Sequence, residues 1–144
     1  LEALAHHYIC EGVRLVPMMD AQKGNVYAQE FTWRADGDTL TLHEESSLAI
    51  LPLTEVIARL SKTEQPVLLL GDAMQRKVDV ELPVNVRLAP IHARMPRAAC
   101  VGLAALTRLA RGETDDLVTA VPLYLRRSEA EVLWEKRHGT EGAQ

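Results

Sequence analysis

From Arg14 the positions RLVPMM form a nearly unbroken apolar run to Met19, the pattern of a strand covered on both faces. Asp20 to Asn25 then gathers turn formers. Gly24 accepts positive φ at no steric cost, and Asp20 can bond its own backbone two residues on. From Val26 the period is two, with Tyr27, Phe31 and Trp33 on one face and Val26, Ala28, Glu30 and Thr32 on the other. The whole reads as a hairpin with an aromatic side to bury. ADGD at Ala35 to Asp38 is a second tight turn, and Thr39 to His43 alternates as a third antiparallel strand with Leu40 and Leu42 inward.

Helical spacing governs three further stretches. Leu1, Leu4, Ala5, Tyr8 and Ile9 recur at that interval before Gly12, and Leu53, Val56, Ile57 and Leu60 mark one face of a helix to about Lys62. Between Pro96 and Ala110 the stripe is Ala99, Leu103, Leu106 and Ala110, with Gly112 as C-terminal cap. Its alanines and Gly102 would let another backbone come close. Glu44 to Pro52 reads as a connection, and PVLLL at Pro66 to Leu70 as a buried parallel strand, since strand, helix and strand in that order need a crossover. Val78 to Leu88, interrupted by Pro83, reads as an edge strand or extended loop. VPLYLR, Val121 to Arg126, predicts a short strand, and Ser128 with Glu131 forms a capping box opening a last helix to about Arg137. No repeat or linker is visible, so residues 1–144 are expected to form one α/β domain.

Composition adds bounds. A chain of 144 residues with 47% hydrophobic and 25% charged positions can build its own core. A net charge of -4 offers no basic footprint for a phosphate backbone, so no direct grip on RNA is expected. Cys10 and Cys100 lie far apart without a CxxC partner and read as free, buried thiols of a cytoplasmic protein. No apolar run reaches the roughly 18 to 20 residues that span a bilayer. A chain that opens on Leu1 already in a helical pattern is expected to be a fragment or processed product.

Candidate chemistry is sparse. Asp20, Lys23 and Gly24 are where a metal-phosphate group would meet a hairpin, and Gly71 and Asp72, after the parallel strand, would border a nucleotide at the carboxyl ends of the sheet. Each also has a plain structural reading as a turn. No Walker A loop or dinucleotide fingerprint occurs, and no cofactor is expected. His6 and His7 are adjacent and point about 100° apart on a helix, and His43, His92 and His138 are scattered, so no metal site is expected. Ser46, Ser47, Ser61 and Ser128 sit in no nucleophile elbow. Tyr124 and Arg126, on one side of a strand, are candidates for a partner interface, both residue types being common at interface centres.

Three segments carry a resemblance. LEALAHHY, LVPMMDAQKGNVYAQEF and VPLYLRRSEAEVLWEKR resemble, in that order, the opening helix, the "DAR-GEVY" hairpin and the closing "P-YLR--EAE" strand and helix of the TsaB (YeaZ) family. Gln22 stands where a basic residue is usual, and Asn25 where glutamate is usual. The resemblance implies the C-terminal lobe of a two-lobed actin/Hsp70-like (ribonuclease H-like) fold, with the N-terminal lobe missing from this sequence. It implies a non-catalytic subunit that stabilises the catalytic TsaD and works with the ATPase TsaE in tRNA threonylcarbamoyladenosine modification, or that pairs with itself. An older "glycoprotease" label of the superfamily finds no protease chemistry in these residues. Two alternatives stay open: an ATP-binding or enzymatic lobe using Asp20, and a structural fragment that dimerises through the Ala-rich helix after Pro96.

Overall fold

The computed structural model describes residues 1–74, 80–125, 133, 134 and 137. The chain divides into two compact units, Leu1–Thr114 and Asp115–Gln144.

The first unit is a mixed seven-stranded sheet with helices. Its centre is strand β1 (Arg14–Asp20), which pairs antiparallel with β2 (Asn25–Ala28) and β3 (Phe31–Asp36) along one edge. These two are one long strand interrupted at Gln29 and Glu30. The registers on either side of the gap are continuous, with Leu15 opposite Phe31 and Met18 opposite Ala28. The gap falls where β1 carries Pro17, which has no N–H to donate; Gln29 N–H still reaches the Pro17 carbonyl at 3.4 Å.

The next strand is likewise divided into β4 (Thr39–Glu44), paired with β3, and β5 (Ala49–Pro52), paired with β2. Here the register advances by two residues, so Glu45 to Leu48 bulge out of the ladder. β5 corrects the expectation of a plain connection over Glu44 to Pro52. A four-residue strand behind a polar bulge is too short to show a period of its own.

Helix α2 (Leu53–Leu60) follows and leads to β6 (Val67–Leu70), which lies parallel to β1 on its other edge. β7 (Val86–Leu88) lies parallel to β6 and ends the sheet there, shorter than the expected element over Val78 to Leu88, of which residues 75–79 lie outside those described. After the 3-10 turn Ile91–Ala93 comes α3 (Ala98–Ala110), which ends at Gly112 with φ +75°. Its last carbonyls are satisfied by Glu113 N–H to Arg108 O and Gly112 N–H to Leu109 O, both 3.0 Å, a Schellman motif.

Alternation of side chains gives the sheet two covered faces. On one, Val16, Met18, Val26, Ala28, Val67 and Leu69 meet Leu53, Val56, Ile57 and Leu60 of α2. Each of those helix side chains contributes about 1.5–3 kcal/mol by leaving water, an upper figure because the unfolded chain is partly compact. On the other, Leu15, Phe31, Trp33 and Leu70 meet Leu4 and Ala5 of α1 (Glu2–Ala5).

Three expectations need correction. α1 is a single turn and stops before Tyr8, because only Leu4 and Ala5 bury deeply and the chain then leaves the helix to bridge Glu11 to Trp33. Cys10 is therefore outside any helix and only half-buried, whereas Cys100 is buried; both are free. In α3 the buried positions are Cys100 and Ala104, and the expected inward residues Leu103 and Leu106 are exposed.

In the second unit, Val121–Leu125 carries no strand: the segment is exposed and makes no ladder with any described strand. Thr119 and Ala120 N–H groups bond the Asp116 carbonyl at 3.1 and 2.8 Å, making a turn. The expected Ser128–Glu131 capping box lies outside the described residues.

Candidate functional site

Asp20 closes β1, and its Oδ1 accepts the Gln22 N–H at 3.0 Å, the local bond its sequence position suggests. Gln22, Lys23 and Gly24 then take φ of +63°, +51° and +85° in succession. Left-handed backbone at two side-chain-bearing residues costs about 1–2 kcal/mol each. Tertiary bonds hold it: Ala21 N–H to Asn25 O and Asn25 N–H to Gln22 O close the loop, and Leu53 N–H, at the start of α2, clamps the Gly24 carbonyl, each at 3.0 Å. Lys23 and Gly24 are exposed at the tip.

Gly71 and Asp72 lie at the carboxyl end of β6, beside the carboxyl end of β1. The sheet thus brings both sequence candidates to one end, as parallel pairing of Pro17 with Leu70 requires. Gly71 has φ +91°, and a Cβ there would sit 2.0 Å from the Met18 carbonyl oxygen. Its small size is needed for packing against β1. Asp72 Oδ1 is buried without a hydrogen-bond partner among the described residues. No group of three or more His, Cys, Asp or Glu side chains among the described residues is placed to hold a metal ion.

A polar groove of about 330 Å³ lies at the other end of β1, lined by Gly12, Arg14, Thr32, Arg34, Glu45 and Gln65 among others. The bulge in the third long strand creates it. It turns Glu45 back onto the sheet, where its Oε1 accepts both the Thr32 hydroxyl and an Arg34 N–H, while Glu45 N–H donates to the Glu30 carbonyl at 2.8 Å. Arg14 donates to Glu30 at 2.6 Å and to Gln65 at 3.3 Å. The Thr32 hydrogen bond is the largest influence on the Glu45 carboxyl; burial opposes it, and Arg34 and Arg14 add to it, so that the carboxyl is held below the usual range. Both arginines already face carboxylates, so the groove can accept polar groups but has no spare cation to seize an anion. The alternation that sets Glu30 and Thr32 on one face was visible in the sequence; the bulge that brings Glu45 to them was not.

His6 and His7 close α1. His6 is buried, its ring edge-on to Trp33 with centroids 5.2 Å apart. Burial lowers its pKa, and a weaker pull from Glu2 opposes this. Burial and then the nearby Arg97 lower that of His7, whose Nε2 has no hydrogen-bond partner among the described residues. Trp33 Nε1 donates to the Ala5 carbonyl at 3.4 Å, tying α1 to β3. Tyr124 is exposed in the second unit, and Arg126 lies outside the described residues, as do Arg127, Ser128, Glu129, Glu131 and His138.

A strained hairpin at the carboxyl end of a mixed sheet, backed by one crossover helix, defines an α/β protein of the YeaZ-like fold. No family model and no curated protein matches the chain. Among solved structures it is similar to a Pseudomonas aeruginosa protein described as uncharacterized, with similarity to peptidase YeaZ. The TM-score is 0.63 at 23% identity, covering 88% of this chain and 56% of that one. It is equally similar to YeaZ from Pseudomonas aeruginosa, again with a TM-score of 0.63 at 23% identity, covering 86% and 56%. The chain therefore spans little more than half the length of these proteins. No helix among the described residues is long and apolar enough to cross a membrane.

Proposed function

We propose that this chain is one lobe of an actin/Hsp70-like fold and acts as a non-catalytic scaffold subunit of the TsaB type. In this reading it serves the bacterial tRNA threonylcarbamoyladenosine-modifying complex by binding and stabilising TsaD, with TsaE as further partner, in the cytoplasm. The observation that carries the reading is the fold shared with YeaZ. The LVPMMDAQKGNVYAQEF segment that resembles the family forms β1, the strained turn and β2 at its centre. The occupied arginines of the groove and the self-bonded Asp20 support a subunit that works through its surfaces.

The test is co-purification. Full-length protein carrying this lobe is expected to elute with TsaD as one complex and to raise the rate of threonylcarbamoyl transfer to tRNA, while the 144-residue chain alone shows no turnover. Separate elution of the full-length protein from TsaD, with no effect on that rate, would overturn the proposal.

A second reading has one observation in its favour: Asp20 and Asp72, whose Oδ1 has no hydrogen-bond partner among the described residues, share the carboxyl end of the sheet, where nucleotides bind in open α/β folds. It is an ATP-binding lobe, and calorimetry with magnesium and ATP separates it from the first.

A further inference from the structure

The sheet has one open edge of useful length. β4 ends its path and pairs only with β3 among the described strands. In an antiparallel ladder bonded and unbonded pairs alternate, and the phase here is fixed by Glu45 N–H, which donates to the Glu30 carbonyl at 2.8 Å. Counting by twos from that pair, His43, Thr41 and Thr39 turn their N–H and C=O groups toward β3, and Leu40, Leu42 and Glu44 turn theirs outward. Exposed edges are normally blunted by proline, lysine, a bulge or brevity. β5 ends in Pro52 behind its bulge, and β7 is three residues long. β4 runs for six residues with neither proline nor lysine.

Beside this edge a groove of about 380 Å³ opens between β4 and the carboxyl end of α3, lined by Phe31, Leu42, Glu44, Arg108, Arg111 and Glu113 among others. By alternation Leu40, Leu42 and Glu44 share the face on which Leu42 packs with Leu4 and Ala5 of α1. A strand laid on the edge would therefore set every second side chain along the groove. Its charges are unequal. Arg108 is held by Glu2 at 2.6 Å, Arg111 meets Glu113 only loosely at 4.0 Å, and exposed Glu44 enters none of the ion pairs among the described residues. Glu2, Glu44 and Glu113 thus face two guanidinium groups, and the carboxyl end of α3 adds partial negative charge.

We propose that β4 accepts an extended segment of another protein as an added antiparallel strand, with the pattern basic-x-apolar-x-apolar. The basic side chain stands opposite Glu44, and the apolar ones stand opposite Leu42 and Leu40. Main-chain bonds to the three outward residues hold the segment, and the surplus carboxylate selects its charge. Five residues bury far less than the roughly 800 Å² per partner of a standard interface, so the contact is weak and reversible. It does not rest on the role with TsaD proposed above and would hold for any activity of the lobe.

Fluorescence anisotropy of the 144-residue chain with a labelled, end-blocked peptide Ser-Lys-Thr-Val-Thr-Val-Ser, titrated to about 2 mM, tests it. Saturable binding is expected. N-methylation of the first valine, whose N–H faces Leu42, should weaken it at least tenfold, while N-methylation of the threonine after that valine, whose N–H points away, should leave it unchanged. Replacing the peptide lysine by glutamate should weaken binding at least fivefold, and Glu44→Lys, at an exposed position, should reverse that preference without altering thermal unfolding. No binding at 2 mM, equal effects of the two methylations, or a charge preference that survives Glu44→Lys would overturn the proposal. So would sedimentation of the chain as a dimer that the peptide dissociates, which would give the edge to a second copy instead.

Discussion

α2 and α3 are both apolar helices beside the same sheet, and they behave in opposite ways. The apolar residues of α2 form one narrow stripe, and all four of them, Leu53, Val56, Ile57 and Leu60, are buried against the sheet. Those of α3 encircle the helix, and only the two small ones, Cys100 and Ala104, are buried. A helix with one apolar stripe declares its face; one that is apolar all round offers several, and tertiary contacts choose among them. Here α1 offers α3 a small contact, and small residues fill it.

The largest effect expected concerns the sheet beneath α2. Gly71→Ala combines a forbidden φ with a Cβ on top of the Met18 carbonyl, so a loss of at least ~3 kcal/mol is expected, read as a fall of many degrees in the unfolding midpoint. Leu60→Ala on α2 is expected to cost about 2–5 kcal/mol, whereas Leu106→Ala on α3 should change monomer stability by no more than ~0.5 kcal/mol. Equal losses for the two would erase the contrast drawn between the helices.

A smaller effect belongs to the α1 contact. The folded-state pKa values of His6 and His7 are lowered, so below about pH 6.5 the unfolded chain binds more protons than the folded one. Stability should be full above that value and fall as the pH drops from about 6.5 toward the depressed folded values. Thermal unfolding at steps between pH 7.5 and 5 measures the slope, and His6→Gln with His7→Gln should flatten it. Least of all should be Glu55→Gln, which removes an exposed pair with Arg59 one turn along α2 and costs about 0.3–0.5 kcal/mol.

Much of the sheet was legible because period two is a strong signal where one strand faces a buried partner. Val26 to Trp33 alternates across the break at Gln29, and Phe31 and Trp33 bury together as the alternation requires. Tyr27 is only half-buried, beyond the reach of α1. The break and the bulge escaped notice because both arise between strands: Pro17 interrupts a ladder with a partner more than ten residues away, and the two extra residues before β5 matter only once β3 is alongside. The expected strand at Val121 failed for the opposite reason. VPLYL has strand-forming residues but no described neighbour to pair with, and strand propensity is realised through neighbours. At the candidate site, the bond from Asp20 to its own turn is local and could be read from sequence. The groove around Glu45 depends on long-range register and could not.

That Asp20 serves the turn, and that the lobe acts through its surfaces, is tested most directly by titrating the chain with magnesium and ATP in a calorimeter. The account predicts no binding heat beyond dilution, for the chain and for Asp20→Ala alike. Saturable binding that disappears in Asp20→Ala would contradict it.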